Sequence, residues 1–523
     1  MNNLIIQRWG VFVLWLLLSA TVFFRHPVPI DETRYLSVAW EMWLRGDFLV
    51  PYLNGATYSH KPPLLFWLFQ LGWGVFGINE WWPRWVGPLC ALCNLILIRQ
   101  LASKLWSTQT QAALLAPWIL VATLLWAVFA SATMFDVLLT CCVLLAMLGL
   151  LEAVEGKALK GWIYLASAMG LGLLAKGPVI FLHVLPTALL FVGFYPLANG
   201  RKFNWFMGFF FAVLLGVIFA LAWAIPAAIA GGEDYAGAIL WHQTADRAVA
   251  TSIHKRGVWW YLPFLPLLMF PWLFWSRIWP AVKWSRFRQD RGLGFCTIWL
   301  VAGLVIFSLL PSKQIHYLIP LMPAYALIVA RLLADLPASP RQGFEWLLPG
   351  LLALIGLLLV IAPQLSPKWL WLQAVRPAWG ISVLALAGVL TAWWFVLGRL
   401  SVISIATTLV VTVMLSFIFF FHYNDAGYNL QPAADKLTEL RIQNRPVVYV
   451  GNYQGQLNFL ARLEQPLPTL TLEQVSNWAT QHPDGYFISL EKQLAEDADF
   501  AQGHREYWLL FRPASQFNLL KPL

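Results

Sequence analysis

Apolar runs of about twenty residues, broken by short polar stretches, recur along most of this chain and predict a bundle of membrane-crossing helices. The first run, 9–24, follows a short head carrying Arg8, and no small-residue cleavage site precedes the polar stretch at Arg25. The pattern therefore predicts a retained first helix, not a cleaved signal peptide. Further runs fall at 82–100, 111–129, 132–151, 161–175, 178–197, 204–230, 258–275, 293–310, 316–335, 345–362, 376–397 and 401–421. With the first helix they make about thirteen spans. Between the first run and Trp81 lies a long loop, 25–81, in which 32–44 and 62–76 read as two interfacial helices.

The pattern changes after Phe421. A helical stretch at 432–440 and β-rich runs at 446–450, 485–490 and 507–511 alternate as in a small α/β domain. The expected division is a transmembrane domain over 1–422 and a soluble domain over 423–523. Short loops rich in Lys and Arg, including Arg99 with Lys104 and the cluster from Arg277 to Arg291, fall on one side with Arg8. That side should be cytoplasmic, and an odd helix count then puts the first loop and the C-terminal domain in the periplasm.

Composition supports a polytopic membrane protein. Of 523 residues 59% are hydrophobic and only 11% charged, far below the roughly 25% charged share of a soluble domain. There are 31 Trp, a residue that favours the membrane interface. The net charge of +10 is uneven, with 8 basic and 11 acidic residues from Tyr423 onward and 27 against 14 before it. The excess suits anionic lipid headgroups; no nucleic-acid-binding motif is present. Five cysteines lie in apolar segments and predict no disulfide framework.

Against this background the polar residues near one end of the bundle stand out. Asp31 and Glu32 follow the first helix; Asp136 opens a hydrophobic helix; Lys61, Lys176 and Lys313 sit in Lys-Pro-Pro, Lys-Gly-Pro and Ser-Lys-Gln contexts. Each carboxylate has an ordinary reading as an acid in the first turn of a helix, where it favours the dipole. The functional reading gives Asp31 the task of accepting a proton from an acceptor group, and Asp136 that of a second carboxylate in the same cavity. The lysines, with Arg34 and Arg247, would build a phosphate site at the membrane surface. Snorkelling to lipid phosphates is the ordinary alternative, and it explains three lysines in rigid turns poorly. His60 and His242 are either interfacial polar groups or, with a carboxylate, ligands of a divalent metal, although no spacing typical of a metal motif supports the latter. His316 and Tyr317 are placed to hydrogen-bond a sugar or a phosphate.

These residues carry a resemblance. Asp31-Glu-x-Arg34-Tyr35, Gly46-Asp47, Leu53-Asn54-Gly55, Tyr58-x-x-Lys61-Pro-Pro-Leu64, Asp136-Val-Leu-Leu-Thr140, Lys176-Gly-Pro178, Trp241-His242 with Arg247, and Ser312-Lys313 with Tyr317-Leu-Ile-Pro320 occur in order along the membrane part. The pattern resembles the lipid A aminoarabinose transferases and, more broadly, the protein O-mannosyltransferase-like branch of the GT-C membrane glycosyltransferases. The resemblance implies a GT-C bundle and inverting transfer of a sugar from a polyprenyl phosphate to lipid A or a related envelope glycolipid on the periplasmic face of the inner membrane. It further implies that Asp31 orients or deprotonates the acceptor, with Asp136 in the same cavity. Arg34, Tyr35, Tyr58, Lys61, Arg247 and Tyr317 would surround the donor phosphate, and Lys176 and Lys313 match later lysines of the family. One position departs from it: His60 stands where the aminoarabinose transferases usually carry an acid.

Two other readings share parts of the pattern. The same donor chemistry with a protein serine or threonine acceptor fits the broader branch. A lipid or sugar transporter predicts polar groups near the bilayer midplane and a two-halved repeat, whereas here they crowd one face and no repeat is seen.

Overall fold

The computed structural model describes residues 2–191, 195, 201–239, 256–336, 344–365, 375–495 and 497–516. Among them nine helices are long and apolar enough to cross a membrane, fewer than the thirteen runs counted in the sequence, and the chain is a multi-pass membrane protein. The first helix, α1 (Asn2–Ala20), is tied to α4 (Trp81–Leu105) by the Trp15 indole, which donates to the Pro88 carbonyl at 2.8 Å. Two predicted spans break for local reasons. Residues 111–129 form α5 (Thr110–Val121) and α6 (Leu124–Phe129), and the Leu124 amide at the break donates to the carbonyl of Phe270. Residues 258–275 are a string of short turns, Val258–Phe264, Leu265–Leu268 and Trp272–Phe274, because Pro263, Pro266 and Pro271 remove amide donors and clash with a continuing helix. The 178–197 run opens as α9 (Val179–Phe191) and ends beyond the described residues.

The bundle is organised around α7 (Phe135–Val154), whose most apolar window is 83% buried, as is that of Ile315–Ala334. By contrast α10 (Arg201–Gly231) and Pro377–Leu397 bury only 22% and present their sides to lipid. Helix α7 runs antiparallel to α8 (Ala158–Lys176) at close quarters. A Cβ on Gly161 would lie 2.4 Å from the Ala153 amide, and one on Gly149 2.7 Å from the Gly161 carbonyl, so both contacts require glycine. The consequence matters for chemistry, because the start of α7 and the end of α8 are brought to the same end of the bundle.

The long first loop is built, as expected, on two helices, α2 (Asp31–Arg45) and α3 (Leu64–Phe76). Gly46, at φ 63°, ends α2 by donating to the Met42 and Trp43 carbonyls. Between the helices β1 (Tyr52–Leu53) and β2 (Ala56–Thr57) form a hairpin whose Asn54-Gly55 turn has φ of 53° and 87°, the backbone that an Asn-Gly pair favours. Tyr35, Val38, Trp40, Phe66 and Trp73 of these helices pack with Phe135 of α7 and with Phe459 from the C-terminal part in one buried cluster.

The C-terminal part folds as an α/β sheet. Its strands are β3 (Val447–Val450), β4 (Thr469–Leu470), β5 (Tyr486–Glu491), β6 (Phe500–His504) and β7 (Tyr507–Pro513), in the order β4-β3-β5-β7-β6. The first three are mutually parallel; β7 and β6 are antiparallel additions. Val447 and Tyr449 face the helix Gln431–Ile442, while Val448 and Val450 face Val475 and Phe487. Strand β3 is thus buried on both sides, which is why it reads as an unbroken apolar run.

Candidate active site

The N-terminus of α2 places Asp31 at the rim of a cavity. Its carboxylate accepts from the Arg34 guanidinium at 2.5 Å and from the Tyr35 hydroxyl at 3.3 Å, yet the side chain stays 53% exposed. Burial pushes the Tyr35 phenol well up, and the negative charge of Asp31 adds to it, so Tyr35 stays a proton donor. For Arg34 burial works against the charged form, but Tyr58 and Asp31 more than offset it and the guanidinium is held charged. Its other arm donates to the Gln454 side-chain oxygen, 3.1 Å away and 420 residues on in sequence.

The neighbouring carboxylate does something else. Glu32 is buried, paired with Arg25, and accepts the backbone amides of Val28 and Thr133 at 2.8 Å each. Burial alone would raise its pKa; Arg25 and the two amides hold it below the ordinary glutamate value. Arg25 also donates to the Ser131 carbonyl at 3.0 Å. The pair therefore locks the start of α2 to the segment leading into α7. The sequence signal for this clamp is slight: an arginine seven residues before the acid, across the Pro27 and Pro29 turn.

Edge-on contact of Tyr35 with Phe135, ring centres 5.0 Å apart, connects Asp31 to Asp136 one residue further on. Asp136 pairs with Lys176 from the end of α8, their side chains 3% and 7% exposed, and the His316 imidazole stands 4.0 Å from its second oxygen. The Lys176 ammonium lies 4.7 Å from the Tyr317 ring centre and that of Lys61 5.6 Å from the Phe135 ring centre. Tyr58 stacks edge-on between His60 and Phe66. Five segments distant in sequence thus bring Asp31, Arg34, Tyr35, Tyr58, Lys61, Asp136, Lys176 and Tyr317 into one chain of contacts that runs through Phe135 and Asp136.

Lys313 is not in this group. Its side chain is buried and its ammonium donates to the Arg256 and Leu310 carbonyls, fastening the loop before Ile315; burial pushes its pKa down. Two of its three donors serve the backbone. Arg247 and His242 lie outside the described residues. His60 faces the cavity, but among the described residues no three His, Cys, Asp or Glu side chains gather as a metal centre would require.

Two cavities flank the group. One, ≈240 Å3, is lined by His60, Lys61, Lys176 and Pro178 and continues between the apolar side chains of Leu221 and Trp223. The other, ≈460 Å3, is lined by the polar residues Asp31, Arg34 and Gln454 and by the aromatic residues Phe129, Phe417 and Phe421. A larger space, ≈1090 Å3, opens at the opposite end of α7 beside Arg99 and Lys104, about 24 Å from Asp136 at 1.5 Å per helical residue. There Glu152 is held by both Lys104 and Lys160.

Known proteins resemble this chain in both sequence and fold. Residues 60–229 match the family described as dolichyl-phosphate-mannose-protein mannosyltransferase. An undecaprenyl phosphate-alpha-4-amino-4-deoxy-L-arabinose arabinosyl transferase of Pseudomonas fluorescens is 29% identical over 373 residues, covering 68% of this chain and 66% of that protein. One from Pseudomonas aeruginosa is 29% identical over 320 residues, covering 58% and 55%. The chain thus spans about two thirds or less of the length of the curated relatives it matches. The crystal structure of ArnT from Cupriavidus metallidurans bound to undecaprenyl phosphate superposes with a TM-score of 0.77 over 99% of both chains at 18% identity. The fold is therefore that of the GT-C membrane glycosyltransferases. In sequence the chain is similar to the arabinosyl transferases named above and, over residues 60–229, to the protein mannosyltransferase family.

Proposed function

We propose that this protein is an inverting glycosyltransferase that moves a sugar from a polyprenyl-phosphate donor to lipid A or a related envelope glycolipid, at the periplasmic face of the inner membrane. The observation that carries this reading is the split between the two carboxylates. Asp31 is exposed and lines one cavity, whereas Asp136 is buried against Lys176, which lines another. The curated relatives named as undecaprenyl-phosphate-dependent arabinosyl transferases support the donor class.

In this reading the polyprenyl phosphate lies in the Lys61 and Lys176 cavity, its chain against Leu221 and Trp223. Asp31 accepts the proton of the acceptor hydroxyl or phosphate as its oxygen bonds to the anomeric carbon. The bond from that carbon to the phosphate oxygen breaks on the opposite face, and the phosphate leaves with the electron pair. Lys61 and Lys176 neutralise its growing charge. A single displacement inverts the anomeric centre and needs no nucleophile on the enzyme. Asp136 acts as a positioning residue that holds Lys176. The same reading divides the chain at residue 422, with the first loop and the C-terminal sheet in the periplasm.

A protein acceptor is the second reading, favoured by the match of residues 60–229 to protein mannosyltransferases. Radiolabelled polyprenyl-phosphate sugars offered to the purified protein in lipid nanodiscs, with lipid A and with a serine- and threonine-rich peptide, separate the two. Label in lipid A is expected; label in the peptide alone would replace the lipid reading.

A further inference from the structure

The C-terminal sheet contributes a wall of the cavity that Asp31 faces. At the tip of the β6–β7 hairpin, His504 pairs with Tyr507, leaving Arg505 and Glu506 as a two-residue turn. Arg505 sits there at φ 60°, a left-handed backbone that arginine adopts only when the surroundings hold it. What holds it is on the page: its amide donates to the Gly427 carbonyl at 2.9 Å, and the Gln502 side chain in the same hairpin donates to the Asn429 carbonyl. The tip is therefore a fixed platform, and the Arg505 side chain lines the ≈460 Å3 cavity together with Asp31 and Arg34.

Charge in that cavity is not balanced. Three arginines line it against two carboxylates. Arg25 is bound by Glu32 and Arg34 by Asp31, whereas Arg505 has no ion pair among the described residues. The cavity is also amphipathic, since Val128, Phe129, Phe417 and Phe421 line it as well, with the Arg25 guanidinium over the Phe421 ring at 5.8 Å. An unmatched guanidinium on a rigid turn, in a cavity also lined by aromatic apolar side chains, suits an amphiphile whose headgroup carries an acidic group; phosphate fits the planar donors of arginine best.

We propose that this cavity receives the acceptor and that Arg505 selects for an acceptor carrying a phosphate, its acyl part lying against Phe417 and Phe421. The C-terminal sheet is then a substrate-reading element of the membrane site. The inference rests on the transferase reading for its role in turnover, but the binding it describes can be measured alone.

The test uses the full chain in lipid nanodiscs, with lipid A and the same lipid after enzymatic dephosphorylation as probes. Arg505→Asn is the informative variant, because asparagine tolerates the left-handed turn and the amide bond to Gly427 survives. Binding of the phosphorylated lipid is expected to weaken about tenfold, the loss of one charge-assisted contact, with binding of the dephosphorylated lipid unchanged. Equal weakening for both lipids, or for neither, would overturn the proposal. Binding that depends on Arg505 without transfer of any sugar would support the cavity assignment and remove the transferase reading instead.

Discussion

Lys176 and Asp136, forty residues apart on antiparallel helices, meet as a buried ion pair, and the Tyr317 ring lies against the lysine. Neither charge is stable there alone. Removing one partner of a buried pair typically costs about 3–5 kcal/mol. Lys176→Ala should therefore lower the thermal unfolding temperature in detergent more than Lys176→Ala with Asp136→Asn, which deletes both charges. Both variants should lose transfer. If the single and double variants unfold alike, the pair is not the constraint described.

Asp31 and Lys61 should fail in different ways. Asp31→Asn is expected to reduce kcat by about 10²–10⁴-fold, the usual contribution of a positioned proton acceptor, with donor binding retained. Lys61→Ala should weaken polyprenyl-phosphate binding by about tenfold, since it removes a cation from the phosphate. Steady-state transfer and direct donor binding check the two. A folded Asp31→Asn enzyme turning over at the wild-type rate would end its assignment as proton acceptor.

Glu32 gives a pH signature of stability. Its folded pKa lies below the ordinary glutamate value despite burial, because Arg25 and the Val28 and Thr133 amides favour the anion. Its stabilisation is thus complete above the unfolded pKa and is lost as pH falls through the depressed folded value. Unfolding temperatures followed from about pH 6 to about pH 3 should fall for the wild type. Glu32→Gln should start lower and fall less over the same range. Parallel curves would show that the clamp does not titrate.

Ser37 should govern how firmly the C-terminal sheet is seated. Its hydroxyl donates to the Gly455 carbonyl at 2.6 Å and accepts the Phe459 amide at 3.1 Å, in a buried site. Ser37→Ala leaves both backbone groups without that partner, at a cost of about 1–3 kcal/mol each. Hydrogen exchange of residues 455–463 should rise in this variant while the helices of the bundle keep their protection. Unchanged exchange would mean that Asn54, which exchanges two hydrogen bonds with Leu467, and the Trp40 indole on the Leu463 carbonyl suffice without it.

The sequence by itself determined the class of the molecule and most of its elements. Periodicity and composition depend only on what a membrane tolerates, so the bundle, the two loop helices and the strands at β3, β5 and β7 are visible one residue at a time. The local Asn54-Gly55 turn is legible for the same reason. Where prolines override hydropathy, at 258–275, the run was long enough to span but lacked the amide donors to form one helix. The site was half legible: unusual charge beside a membrane marks Asp31, Lys61, Asp136 and Lys176, because its cost is local. Only the tertiary structure decided which charges are partners. It paired Asp136 with Lys176, turned Glu32 into a clamp with Arg25, and assigned Lys313 to the backbone. It also carried Gln454 and Arg505 from the C-terminal sheet to the cavity rim. These are contacts across up to hundreds of residues, set by how helices and sheet pack, and no spacing along the chain encodes them.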